Sequence, residues 1–322
     1  MRVLMRLIGL VATGSVLATS VSASPPIVRF RAFADTGLRL TDIVWTGSQF
    51  LYVNNTTNRI VAAGPTGVPL TRFAAMPRQV EETRCSVSPG THGFTPGDLY
   101  CHSPDNKIYR ISPDGKQVNV FAVLPHTARS DGAITFDTAG SFGYALIVAT
   151  GRSGVAKSAG GSLFAIGPAG KVRRIGSYDS PGGADEVAVA PASFGSAASQ
   201  LLLTVDAGRT GSLVAMNAHG QARTLLKLPD GPNPLVVLAP GRTPSAGTAQ
   251  PGLYVTDTLS HDVFFAPNSE LARYAGEVLI GSELGGRFWV VRPLGHGFAA
   301  ITLATSLGGT KYNLEAAIYV AR

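Results

Sequence analysis

The sequence predicts an all-β chain folded as a six-bladed β-propeller whose last blade is closed by a strand from near the N-terminus. Three observations predict it: a composition suited to turns rather than helices, a strand–turn–strand phrase recurring about every fifty residues, and a final unit that lacks a strand. Of 322 residues, 45% are hydrophobic and only 15% charged, with 38 Gly and 21 Pro. So much Gly and Pro disfavours a helical bundle, and so much apolar content disfavours disorder.

The opening segment has the three parts of a secretory signal peptide. Arg2 and Arg6 precede an apolar run over 7–18, and Val21-Ser22-Ala23 is a small-x-small cleavage site. The run falls short of the roughly 20 residues that span a bilayer. Residues 1–23 are therefore expected to be removed, leaving a single domain over 24–322 with 299 residues and a formal charge of +5. The expected location is the periplasm or the exterior, with no integral membrane segment after cleavage.

The recurring phrase is an apolar strand, a polar turn, a second strand and a tight turn. Leu51-Tyr52-Val53-Asn54 leads to Asn58-Arg59-Ile60 and Gly64-Pro65-Thr66-Gly67. Leu99-Tyr100-Cys101-His102 leads to Asn106-Lys107-Ile108 and Ser112-Pro113-Asp114-Gly115. Leu253-Tyr254-Val255-Thr256-Asp257 leads to His261-Asp262-Val263 and Ala266-Pro267-Asn268-Ser269, and divergent copies begin at Gly161 and Gly211. The turns end at 67, 115, 170, 220 and 269. A period near fifty with about four strands per unit is the mark of a propeller blade. Five blades are laid out over 42–76, 82–124, 131–178, 185–228 and 235–279. The sixth has strands at 288–291, 298–303 and 316–320 and lacks a fourth. Residues 27–33, largely alternating apolar and basic, supply it and leave no open sheet edge.

This arrangement resembles the six-bladed propellers of the gluconolactonase (senescence marker protein) and NHL-repeat superfamily over essentially the whole mature chain. The resemblance rests on Asp131-Gly132-Ala133-Ile134-Thr135-Phe136-Asp137, similar to a blade-opening phrase, and on Asn54 with Asn58-Arg59-Ile60, similar to an NHL turn. It implies a divalent cation, Ca²⁺ first, that polarises a lactone or ester carbonyl. Asp131 matches a family ligand or base, and Asn233 a plausible amide ligand. The family places a Glu four residues before a blade-one Trp; here Trp45 is present, Thr41 holds that place, and Asp42 comes one residue late.

Inner strands of a propeller start on one face beside the central channel, and the turn between second and third strands opens there too. Strand starts offer Asp42, Glu81 with Glu82, Asp131, Asp185 with Glu186, and Asn233; turn entries offer Asn54, His102, Asp206 and Asp257. Converging oxygens suit a hard cation, so the expected metal ligands are Asp42, Glu82, Asp131, Asp185 and Asn233. The same residue types also cap turns through their backbone neighbours. Asp131, His102 and His126 are the catalytic candidates, as channel-mouth general bases. No short-spaced His pair and no nucleophile elbow occurs.

Two long loops, 150–160 and 305–313, interrupt the period at second-to-third turns. Their polar content, Arg152, Lys157, Lys311 and Tyr312, suits an anionic small molecule or glycan. Dispersed Lys and Arg in an exported chain argue against nucleic acid, and a monomer is expected. Cys85 and Cys101, the only cysteines, flank a Pro-Gly-rich loop and are expected to bridge the first two strands of blade two. Two functions of different class follow: a metal-dependent lactone or ester hydrolase at the channel mouth, and a non-catalytic propeller binding a ligand or protein through its long loops.

Overall fold

In the computed structural model the chain forms six four-stranded antiparallel blades around one axis. Residues 27–321 are described, apart from 58, 78–81, 126–127, 153–159, 180–182, 239–247 and 309–310; the side chains of 128–131 and 152 also lie outside the description.

From the axis outward, blade one is β2 (Leu40–Trp45), β3 (Phe50–Asn54), β4 (Arg59–Ala63) and β5 (Thr71–Ala75). Blade two is β6 (Arg84–Val87), β7 (Leu99–Ser103), β8 (Lys107–Ile111) and β9 (Val118–Val123). Blade three is β10 (Ala128–Phe136), β11 (Leu146–Arg152), β12 (Gly161–Ile166) and β13 (Val172–Tyr178). Blade four is β14 (Gly183–Val189), β15 (Leu201–Asp206), β16 (Gly211–Met216) and β17 (Ala222–Leu228). These four blades follow the order and, closely, the bounds expected from the repeat.

The last two blades do not. Blade five is β18 (Pro232–Val237), β21 (Val278–Ser282), β22 (Phe288–Leu294) and β23 (Gly297–Leu303). Blade six is β24 (Leu314–Val320) inside, then β19 (Gly252–Asp257) and β20 (Asp262–Pro267), with β1 (Arg31–Asp35) on the outer edge. The chain leaves blade five after one strand, builds the middle hairpin of blade six, and returns. The expected layout put that hairpin in blade five and put β22 and β23 in blade six; both placements are corrected. Closure by an N-terminal strand holds, through β1 pairing with β20. The strand begins at Arg31 rather than 27. Upstream of it Val28 bonds across to the chain after β23, its N–H donating to the Ala304 carbonyl at 2.8 Å.

Period-2 alternation explains the packing. Each strand shows alternate residues to the blades on either side, so one apolar cluster fills each gap between neighbouring blades. Phe50 and Tyr52 pack toward blade six beside Trp45 and Phe265, while Leu51 and Val53 pack toward blade two beside Leu99 and Cys101. The Cys85–Cys101 disulfide forms between β6 and β7, where the two residues face each other in register. It is part of that second cluster.

The turns after the third strands of blades one to four close on Gly67, Gly115, Gly170 and Gly220, all at positive φ between 72° and 82°. At Gly115 a Cβ would stand 2.3 Å from the Phe73 carbonyl oxygen of the preceding blade. Only Gly meets both demands.

Candidate functional site

The inner strands β2, β6, β10, β14, β18 and β24 surround a channel of about 510 Å³. Where these strands start, charged residues from several blades converge. Bulges help to bring them there. The pairing register slips between Leu40 and Asp42 on β2, between Ala184 and Glu186 on β14, and between Pro232 and Leu235 on β18. A bulge inserts one residue and re-aims the next side chains. At blade one it leaves Asp42 opposite Val53.

Arg84, at the start of β6, is the centre of the cluster. It is 5% exposed. Its guanidinium donates to the Thr41 carbonyl of blade one and the Glu315 carbonyl of blade six, the latter at 3.0 Å. It also donates to Glu315 Oε1 at 2.8 Å, and its Nη1 lies 3.6 Å from Glu186 Oε1 of blade four. Burial works against the charge, but Glu315, Glu186, Asp42 and Asp185 outweigh it and hold Arg84 protonated. One side chain thus crosses the axis and ties blade two to blades one, four and six.

The acids outnumber this cation, and burial dominates their chemistry. Asp42 is pushed up to about 6 by burial, opposed by Arg84 and by the amides of Cys85 and Ile43. Those amides donate to its two oxygens at 2.6 and 2.8 Å. Glu186 is pushed up to about 8 by burial, against Arg84 and with Asp42 and Glu315. Glu283, just past β21, is pushed up to about 7 by burial, with Glu315 and Asp206 adding. Burial, then Glu283 and Asp206, raise Asp185 well above the carboxylate range. Glu315 is raised by burial, with Arg84 and Arg39 opposing. Asn233 is fully buried and donates its Nδ2 to Glu283 Oε1 at 3.2 Å. Among the described residues its Oδ1 and Asp185 Oδ2 are buried and have no hydrogen-bond partner.

The expected ligands therefore separate. Asp185 and Asn233 lie on the neighbouring inner strands β14 and β18, each with a buried oxygen that no described residue bonds. Asp42 is at the site, but its oxygens already bind two blades through backbone amides. Glu82 adopts a left-handed conformation (φ 55°), and its own N–H donates to Asn55 Oδ1 at 3.2 Å. Asp131 lies in the register slip of β10 between Arg129 and Gly132, with its side chain outside the described residues. His126 and Lys157 lie outside them too, as does the side chain of Arg152 at the end of β11. His102 is 1% exposed, so solvent does not reach it. Its ring lies against Gly132, where a Cβ would stand 2.4 Å from Nδ1. Lys311 is exposed. Tyr312 packs edge-on against Phe264, with ring centroids 5.5 Å apart.

The turn-entry acids behave as caps. Asp257 accepts from the amides of Asn313 at 2.7 Å and Ser260 at 3.1 Å, and Asn54 accepts from that of Thr56 at 2.9 Å. Sequence reasoning missed Arg84, Glu283 and Glu315. Arg84 was hidden by a search for oxygen ligands. Glu283 and Glu315 start from strands whose place in the ring depends on the interleaved topology. Among the described residues no three His, Cys, Asp or Glu side chains are arranged to hold a metal ion. An ion here would therefore draw on the Asn233 amide, and on water or substrate, as well as carboxylates. Comparison with protein-family models gives no match for this chain, and comparison with curated proteins gives none.

Proposed function

We propose that the protein is a divalent-cation-dependent hydrolase of lactones or related esters, working at the strand-start mouth of the channel. The observation that carries this reading is a pair of buried oxygens, Asp185 Oδ2 and Asn233 Oδ1, that have no partner among the described residues, within a cluster holding more acids than Arg84 can neutralise. Buried polar atoms in folded proteins nearly always have a partner, and oxygen donors of this kind suit a hard cation. Asp185 and Asn233 would hold the ion. Glu283 would position the amide, because Nδ2 bound to Glu283 leaves Oδ1 turned elsewhere. A cation so held polarises an ester carbonyl toward attack by water. Carboxyls that burial keeps from ionising fully at neutral pH supply the proton transfers that hydrolysis needs. Asp131, on the neighbouring inner strand β10, is the remaining candidate for a ligand or base.

The loop-borne binding alternative has less support. Of its four residues Tyr312 is occupied with Phe264. Export belongs to the proposal: a disulfide suits an oxidising compartment, and no helix among the described residues is long and apolar enough to cross a membrane.

The test is calorimetric titration of EDTA-treated protein with Ca²⁺, Mn²⁺ and Zn²⁺, with hydrolysis of a lactone panel followed by proton release. One divalent site and metal-dependent hydrolysis are expected, with Asp185→Asn and Asn233→Ala each weakening the ion at least tenfold. Undiminished affinity in both variants would overturn the site. Metal binding without turnover of any lactone or ester would overturn the hydrolase.

A further inference from the structure

Each blade ends in an outer strand whose far edge has no neighbour in its own sheet. Such an edge is a template for another strand unless a bulge or a charge spoils it. Five of the six are spoiled by a register slip: β1, β5, β9, β13 and β17 each pair irregularly with the strand inside. Four of those five also carry basic residues, namely Arg31, Arg72, Arg173 with Arg174, and Arg223 with Lys227. β23 has neither protection. Gly297–Leu303 is uncharged, and all seven of its residues pair with β22 in unbroken register. Ile301 on this strand is 46% exposed, and Leu294 at the hairpin end 57%. We infer that β23 is an association edge, along which two copies of this chain pair antiparallel about a two-fold axis at Ala300.

The direction of the backbone groups follows from the hairpin. β22 and β23 are joined by two residues, Gly295-His296, with Leu294 opposite Gly297. A turn of that length closes on a bonded pair, and bonded and unbonded pairs then alternate. Gly297, Ala299, Ile301 and Leu303 therefore bond back to β22, while Phe298, Ala300 and Thr302 turn N–H and C=O outward. Two observations agree. Pro293, which has no N–H, stands opposite Phe298. Ala304, next in the outward series, already accepts the Val28 N–H at 2.8 Å. Pro25 and Pro26, just upstream of Ile27, have no N–H to carry that ladder back along β23.

The same groups choose the partner. They lie symmetrically about Ala300, so an axis there sets Ala300 opposite Ala300 of the second copy and Phe298 opposite its Thr302. Each such pair exchanges both backbone bonds. On the other face Ile301 meets Ala299 of the second copy, large against small, and its exposed apolar surface leaves water. Any other outer strand of the ring would bring a slipped ladder, an Arg or Lys, or both onto an uncharged edge. Phe298 packs against Phe194 with ring centroids 5.1 Å apart, so the edge is ordered before a partner arrives. Two such strands alone bury less than the roughly 1,200 Å² of a firm interface, so a micromolar dimer is expected. The monomer expected from the sequence is then the dilute form.

Sedimentation equilibrium of the purified protein across a micromolar concentration series should show monomer and dimer in exchange. Ala300→Pro removes the outward N–H at the axis and keeps the pairing with β22, and Ile301→Lys puts a charge on the edge. Each should weaken the dimer at least tenfold. Ala300→Cys should give a disulfide-linked dimer on mild oxidation, because residues on the axis face each other. Val120→Cys, equally exposed but on the slipped edge of β9, should not. Should Ala300→Pro fail to fold, Ile301→Lys and the two cysteine variants decide. A protein that stays monomeric throughout the series, a dimer left at full strength by either folded variant, or equal cross-linking at positions 120 and 300 would overturn the inference.

Discussion

Replacing Arg84 by Met tests whether the propeller is held at its axis by one buried cation. Met fills much of the same space without charge or donors. The substitution leaves the Thr41 and Glu315 carbonyls without their donor and removes the charge facing Glu315, Glu186 and Asp42. Removing one partner of a buried ion pair costs about 3–5 kcal/mol, because the other charge stays buried without compensation. Against a total stability of about 5–15 kcal/mol, the loss should be plain in guanidinium denaturation at pH 8 in EDTA. The pH dependence separates charge from packing. Asp42 and Glu186 sit near 6 and 8 with Arg84 present, and higher still without it. At pH 5 they are protonated in the variant, and the loss should shrink toward the hydrogen bonds alone, about 1 kcal/mol each. Adding Glu186→Gln and Glu315→Gln to Arg84→Met should recover stability at pH 8. A loss below about 1 kcal/mol at pH 8, or an equal loss at both pH values, would refute the argument from buried charge.

Three further outcomes are expected. Asp42, Glu186 and Glu283 are raised from ordinary values of 3.8, 4.5 and 4.5 to about 6, 8 and 7. Their contribution is complete below about pH 4 and lost as pH rises through those folded values. The metal-free protein should therefore melt at a lower temperature at pH 8 than at pH 5 by scanning calorimetry, and a flat or rising profile would contradict this. The joint change Cys85→Ala and Cys101→Ala opens a loop with a sequence separation of 16. It should lower stability by about 3 kcal/mol in the chain-entropy description, and an unchanged denaturation midpoint would count against it. Asp137 accepts from the amides of Ala139, Gly140, Phe142 and Tyr144. Asp137→Ala should cost about 2 kcal/mol through orphaned donors and speed hydrogen exchange across 138–144 first; unaltered exchange there would show that the loop does not depend on this carboxylate.

Most of the ring is legible in the sequence because most of it is local. A hairpin, its turn and the Gly that closes it are neighbours in the chain, and four of the five repeat copies mark complete blades. The fifth shows why periodicity alone misassigns the rest. It ends in Ser269 where the others have Gly at positive φ. Residues Asn268–Leu271 there form one turn of helix, α1, rather than a reversal into an outer strand. The hairpin β19–β20 therefore reaches its outer edge only through β1, and its inner edge only through β24. Both partners are remote in sequence. The missing Gly was visible, but the choice of partner strand was not, because register between distant strands is set by packing.

The candidate site follows the same division. Asp42, Asp185 and Asn233 can be singled out from the sequence because a propeller brings inner-strand starts to one channel mouth. What each does there depends on features no spacing rule contains. A bulge moves Asp42 into place, yet two amides then occupy its oxygens. On β18 the amide of Asn233 is turned by Glu283, a residue fifty positions away. Arg84 decides most. A search for metal ligands seeks oxygen and passes over a guanidinium, whereas an acid-rich axis in a low-dielectric interior needs positive charge from some source. Among the described residues Arg84 supplies that charge from within the cluster, with Arg39 acting on Glu315, and five acids share it. The imbalance is what makes an added cation physically reasonable at the mouth, where among the described residues two buried oxygens lack partners.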